Sequence, residues 1–226
     1  MVRAVPLSLV VALASLFFFG WVAEEVLEQN TRQFDDAVRG YVHRFATPAR
    51  TEFMRHATWL GSGAVLGGAL VIIAVLFLTR ERRLAGLMTV AMLGAGVLDQ
   101  ALKASFKRAR PQPFFDIPPL HSYAFPSGHA LVSFCFYSMV GWMITRRLRE
   151  RWQRIAVWCA VGAVIALVGL SRIYLGVHYP SDVIAGYAGA AVWMSSVELV
   201  GSTLYPVPRK SQKADSSSAR FARASE

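Results

Sequence analysis

Two histidines, one aspartate and three strong cations stand in three polar islands of an otherwise apolar chain. The first island is Lys103, then Arg110-Pro111 seven residues on. Seven residues is nearly two helical turns, so both cations share a face if the helix persists. Pro111 disfavours helix at Arg110, so the helix is expected to end about there. Asp99 lies one turn before Lys103 and can hold its ammonium. The second island is Pro126-Ser127-Gly128-His129, placed where a helix begins. A helix start offers orphan N–H groups and a positive dipole end to an anion. Gly128 lets that anion approach the backbone, Ser127 adds a hydroxyl and His129 a titratable proton. The third is Ser171-Arg172, followed by Gly176 to Asp182. His178 and Asp182 are four apart, so one helical turn puts them on one face. A carboxylate there fixes the imidazole tautomer and stabilises the imidazolium. Pro180 suits the first turn of the helix that follows.

Singly, each island is modest: an isolated His near a helix end is usually structural, and an Arg-Pro pair means little. Together they hold the parts for binding a phosphate and displacing its leaving group. Ionisable residues at membrane depth also default to function. No carboxylate-rich metal cage is present in the sequence, so neither a metal site nor two-metal chemistry is expected.

The elements that must position these residues are apolar. Of 226 residues, 54% are hydrophobic and 17% charged, against roughly 25% charged in a soluble domain. The mean hydropathy is +0.40. Such a chain is neither broadly disordered nor an ordinary soluble globule. Six stretches approach the length of a membrane helix: 6–22, 62–78, 84–98, 130–144, 155–170 and 183–200. Several are short and are expected to extend into their flanks. Glu24 and Glu25 follow the first stretch without a small-residue cleavage site, which favours a retained helix over a signal peptide. The net charge of +10 then points to basic loops beside a membrane, with no nucleic-acid partner implied. Most Lys and Arg fall on one side if both termini are cytoplasmic: Arg80, Arg82, Arg83, five arginines between 146 and 154, and the basic tail. The basic stretch 103–111 falls on the other side, where an anionic ligand would account for it. Cys135 and Cys159 lie in apolar runs, without zinc or disulfide spacing.

Between the first two spans, Phe34, Val38, Val42 and Phe45 recur at helical spacing, with Asp35, Asp36, Arg39 and Arg44 opposite. An amphipathic helix at the membrane surface, compatible with packing on the bundle, is expected there. Residues 206–226 read as a disordered basic cytoplasmic tail after a membrane domain over 1–205.

These islands resemble the three signature motifs of the type 2 phosphatidic acid phosphatase (PAP2) superfamily, which includes vanadium haloperoxidases. The pattern is Lys-x6-Arg-Pro, Pro-Ser-Gly-His and Ser-Arg-x5-His-x3-Asp. Lys103 to Pro111, Pro126 to His129 and Ser171 to Asp182 match it completely, in order and spacing. The motif core is 103–182. The resemblance implies an all-α bundle of six transmembrane helices, to which the periodicity adds the interfacial amphipathic helix, and a bacterial inner-membrane lipid phosphatase of the phosphatidylglycerophosphatase B or undecaprenyl pyrophosphate phosphatase kind. It implies His178 as nucleophile, Asp182 as its orienting carboxylate, and His129 as acid then base. Lys103, Arg110, Ser127, Gly128 and Arg172 would bind the phosphoryl oxygens, with no cofactor and an extracytoplasmic active site. The implied partners are the bilayer and a lipid phosphate or pyrophosphate such as phosphatidic acid, phosphatidylglycerophosphate, diacylglycerol pyrophosphate or undecaprenyl pyrophosphate. A lipid phosphotransferase would use the same phosphohistidine. An anion transporter would explain the spans and the basic loop, but not His178 paired with Asp182. His121 and Tyr123 precede the second motif and serve either a head group or the loop itself.

Overall fold

A computed structural model of the chain describes residues 6–118 and 120–204. Within them all regular structure is helical: α1 Leu7–Leu27, α2 Arg32–His43, α3 Pro48–Trp59, α4 Gly63–Leu78, α5 Arg82–Phe106, α6 Gly128–Thr145, α7 Arg151–Tyr174 and α8 Pro180–Leu204. Six helical stretches are long and apolar enough to cross a membrane: α1, α3 with α4 as Pro48–Leu78, α5, α6, α7 and α8 to Gly201. Five of the six apolar stretches extend into their flanks, as expected of several; α4 itself keeps within 62–78, and its span is lengthened by the separate helix α3. The tail read at 206–226 lies outside the described residues.

Large apolar side chains lie on the outside. Leu7, Phe17 and Leu78 are 77%, 82% and 80% exposed. In water that would be costly; beside lipid tails it is neutral. The inside is built from small residues that let helices approach closely. Ala91 and Ala95 of α5, Ala130 and Cys135 of α6, and Ala185 and Ala190 of α8 are fully buried. Helix α6 sits among α4, α5, α7 and α8, while α1 packs along α8. Gly94 leaves room on α5 for the ring of Trp193. That indole donates from Nε1 to the Ala91 carbonyl at 2.9 Å.

Three features depart from or add to the sequence reading. Helix α5 stops at Phe106, and Lys107 turns left-handed at φ 48°, so Arg110 stands on a loop rather than on Lys103's helical face. Helix α3 was not foreseen, although Thr47 caps it by accepting the Arg50 N–H and Pro48 occupies the first turn. Helix α2 exists, but its polar face is not uniformly outward. Asp35 is fully buried and Arg39 nearly so, while Phe34 and Phe45 are half exposed. The reason is a set of polar partners inside the bundle, described below. Asp36 and Arg44 do remain exposed.

Any side chain at Gly94 must displace the Trp193 ring. Gly94→Leu should therefore lower the Tm in detergent by several degrees, as overpacking by about 1–3 kcal/mol does; an unchanged Tm would show the α5–α8 seam to be loosely packed.

Candidate active site

The three islands converge at one end of the bundle, where the α5–α6 loop, the start of α6, the end of α7 and the start of α8 meet. Helix α5 delivers Lys103 and Asp99 one turn apart. The ammonium donates to both carboxylate oxygens, at 2.8 and 2.7 Å, with both residues buried. The expected Asp99–Lys103 clamp is thus formed. Arg110 reaches in from the loop. Its Nε donates to the Ser122 carbonyl at 2.7 Å and its Nη2 to the Ser122 hydroxyl at 2.8 Å. Its Nη1 donates to the Val177 carbonyl at 2.8 Å and faces His178 Nε2 at 3.0 Å.

Ser127 is the N-cap of α6, and Gly128 opens the helix. The Ser127 hydroxyl is buried and has no hydrogen-bond partner among the described residues. A Cβ at Gly128 would stand 2.8 Å from both Asp99 Oδ1 and Lys103 Nζ, so only glycine leaves that approach open. His129 follows in the first turn and lines the same cavity as His178. Arg172 comes from the last turn of α7 and is 7% exposed. Its Nη1 donates to the Thr58 hydroxyl at 2.6 Å, and its Nε is buried with no partner among the described residues. Ser127 Oγ and Arg172 Nε are unsatisfied polar atoms of the kind a bound anion would engage.

His178 sits just ahead of α8, 1% exposed, with Nδ1 3.3 Å from Asp182 Oδ2. Asp182 also accepts the Tyr179 N–H at 2.9 Å, which caps the start of α8. Burial, with the Arg172 and Arg110 charges, pulls His178 down to about 4, against the opposing pull of Asp182. The imidazole is therefore neutral at pH 7. The carboxylate keeps the proton on Nδ1 and the lone pair on Nε2. Burial also lowers Arg110, against the attraction of Asp182 and Asp99.

A cavity of about 670 Å³ joins these groups. Lys103, Arg110, Gly128, His129, Arg172 and His178 form its polar end. Val65, Ala69 and Ile73 of α4 and Met92, Leu93 and Gly96 of α5 continue it as an apolar groove. All eight residues expected at the site are therefore brought to one end of the molecule. Among the described residues, no three His, Cys, Asp or Glu side chains are grouped to hold a metal ion. Sequence reasoning missed Ser122, Thr58 and Asp35 as partners of the arginines. Ser122 stands between His121 and Tyr123, which are exposed.

The sequence matches the PAP2 superfamily over residues 84–202. It is 30% identical over 181 residues to phosphatidylglycerophosphatase B of Bacillus subtilis, covering 77% of this chain and 87% of that protein. It is 27% identical to an undecaprenyl-diphosphatase of Sulfolobus acidocaldarius, over 72% of each chain. The crystal structure of a transmembrane PAP2-type phosphatidylglycerolphosphate phosphatase from Bacillus subtilis superposes with a TM-score of 0.78 at 26% identity, covering 86% of this chain and 98% of that one. Sequence, fold and six membrane-length helices agree, and the chain belongs to the PAP2 superfamily as an integral membrane lipid phosphatase.

Proposed function

We propose that the protein hydrolyses a phosphate monoester or pyrophosphate on a membrane lipid through a phosphohistidine on His178. The observation that carries this reading is a buried imidazole whose Nε2 lies beside Arg110 in a cavity shared with Lys103 and Arg172. On binding, the phosphoryl oxygens take up the Lys103, Arg110 and Arg172 donors together with the Ser127 hydroxyl and the Gly128 amide. Arg110 then donates to phosphate oxygen rather than to Nε2, which frees the lone pair. Nε2 attacks phosphorus as the bond to the leaving oxygen breaks. His129 passes its proton to that oxygen. Asp182 stabilises the positive charge that grows on the His178 ring. In the second half-reaction His129 takes a proton from water, the hydroxide oxygen bonds to phosphorus and the P–N bond breaks. Inorganic phosphate leaves and His178 is restored. The arginine forks suit equatorial oxygens of the trigonal bipyramid, and most of the rate would come from this prearranged charge.

The apolar groove between α4 and α5 supplies the substrate class. A chain continuing from the phosphate could lie along Val65, Ala69 and Ile73 without leaving the bilayer. Phosphatidylglycerophosphate and undecaprenyl diphosphate, the substrates named by the relatives, fit this description, as does phosphatidic acid. The excess of basic residues around Arg80–Arg83 and Arg146–Arg154 supports a reading in which that end of the bundle faces the cytoplasm, in a bacterial inner membrane, and the active site faces outward.

Two experiments test this. General acid help is worth about 10²–10⁴-fold and matters least for a leaving group such as p-nitrophenolate, which departs unprotonated. With p-nitrophenyl phosphate, His129→Ala should keep the p-nitrophenolate burst and accumulate phosphoenzyme. His178→Ala should abolish both; phosphoenzyme in His178→Ala, or equal loss of the burst in both variants, would contradict the assigned roles. For orientation, a cysteine replacing the exposed Pro118 should react with an impermeant thiol reagent from outside intact cells, Cys135 and Cys159 both lying within spans. Labelling only after permeabilisation would put the reaction on the cytoplasmic face.

A further inference from the structure

A buried carboxylate outside the three motifs reaches the same histidine by way of an arginine. Asp35 of α2 is fully buried. Its Oδ1 accepts the Ser181 backbone N–H at 2.9 Å, and its Oδ2 accepts the Ser181 hydroxyl at 2.7 Å. Arg108 Nη2 donates to the same Oδ2 at 2.8 Å. The other arm of that guanidinium, Nη1, donates to Asp182 Oδ1 and to the Ser181 hydroxyl. The second oxygen of Asp182 faces His178 Nδ1. Asp35, Arg108, Asp182 and His178 thus form a line of alternating charge that ends on the imidazole. The ring of Tyr179, next to His178 in sequence, lies 4.2 Å from the Arg108 guanidinium carbon and 5.2 Å from that of Arg39. Burial alone would lower the Arg108 pKa; Asp182 and Asp35 outweigh it and raise it.

We propose that Arg108 and Asp35 are positioning residues of the reaction: Arg108, held by Asp35, fixes the Asp182 carboxylate against His178 and sets how much of its charge reaches the ring. The inference rests on the reading of His178 as nucleophile. Two physical effects separate it from mere packing. A carboxylate can rotate about its own axis, and the grip of Arg108 on Oδ1 leaves Oδ2 aimed at Nδ1. A cation on Asp182 also cancels part of the field that stabilises a protonated imidazole, while Asp35 cancels part of that cation. Arg108 does not line the main cavity, so it acts on a substrate bound there without touching it, by its grip on Asp182.

The other charged groups facing His178 are Arg110 on the loop and Arg172 on α7, with His129 on α6 and the Lys103–Asp99 pair on α5 nearby. They are the same in every variant below. Replacing Arg108 by Gln leaves the field of Asp182 undamped. His178 then holds its proton to higher pH, and the nucleophile is lost earlier on acidification. Replacing Asp35 by Asn as well restores the net charge of the cluster, so the shift should reverse.

The test is kcat/KM against pH for a short-chain phosphatidic acid, with the full-length protein in detergent. The ionisation of the substrate is common to all variants and drops out of the comparison. The acid limb should move up by about one pH unit in Arg108→Gln and return in the Asp35→Asn/Arg108→Gln double variant. Arg108→Lys keeps the charge but cannot fork between two carboxylates. It should lower kcat roughly tenfold, with KM and the limb unmoved. A limb that stays put in Arg108→Gln, or a wild-type kcat in Arg108→Lys, overturns the proposal. Should Arg108→Gln fail to fold, Arg108→Lys decides alone. Radiolabelled phosphoenzyme in the wild type that is lost in His178→Ala keeps the nucleophile reading in place whatever the Arg108 variants do. Its persistence removes that reading, and this proposal with it.

Discussion

Buried positive charge without a matching carboxylate is the constraint on which the site depends. Asp99 is taken by Lys103, and Asp182 by Arg108 and His178. Among the described residues, Arg110 and Arg172 hydrogen-bond only neutral groups at the cavity: the Ser122 and Val177 carbonyls, the Ser122 and Thr58 hydroxyls, and an imidazole nitrogen. Arg172 is the buried one of the two, and holding its guanidinium away from water without a counter-charge costs several kcal/mol, on the order of what breaking a buried pair costs. An anion returns that energy on binding. The start of α6 adds its amides and dipole to the same point. A dianionic phosphoryl group is the ligand that such a surplus suits.

The same surplus governs the histidine. Burial beside two arginines keeps His178 neutral, as the proposed nucleophile must be, and Asp182 limits how far this goes. Asp182 is in turn restrained by Arg108, and Arg108 by Asp35. Three of the groups are placed by helix ends: Lys103 by the last turn of α5, Arg172 by the last turn of α7, Asp182 by the first turn of α8. Small residues in α5, α6 and α8 bring those ends close enough for the groups to meet. Gly186 illustrates how close: a Cβ there would stand 2.8 Å from the Ser127 carbonyl.

The sequence made the motif residues legible because short-range spacing encodes them. Asp99 and Lys103 are one turn apart on a helix, and His178 and Asp182 are one turn apart at the start of another; both pairs meet. The six apolar stretches each fall on a span, but the second span begins at Pro48 rather than near 62 and α5 runs to Phe106 rather than 98. What stayed illegible has no local period. Thr58 meets Arg172, and Asp35 meets Ser181 and Arg108, across large separations in the chain. The polar face of α2 was visible, but periodicity does not say whether such a face meets water or a buried arginine. Arg108 was seen only as one member of a basic cluster, because nothing near it in sequence names the carboxylates that hold it.

The measurement that bears most directly on this account is the site of phosphorylation. Wild-type protein turning over a lipid phosphate would be quenched in base, where phosphohistidine survives, then digested and mapped by mass spectrometry. The account predicts an acid-labile phosphoryl group on Nε2 of His178. A phosphoryl group on His129, or transfer to water with inversion at phosphorus and no phosphoenzyme, would contradict it.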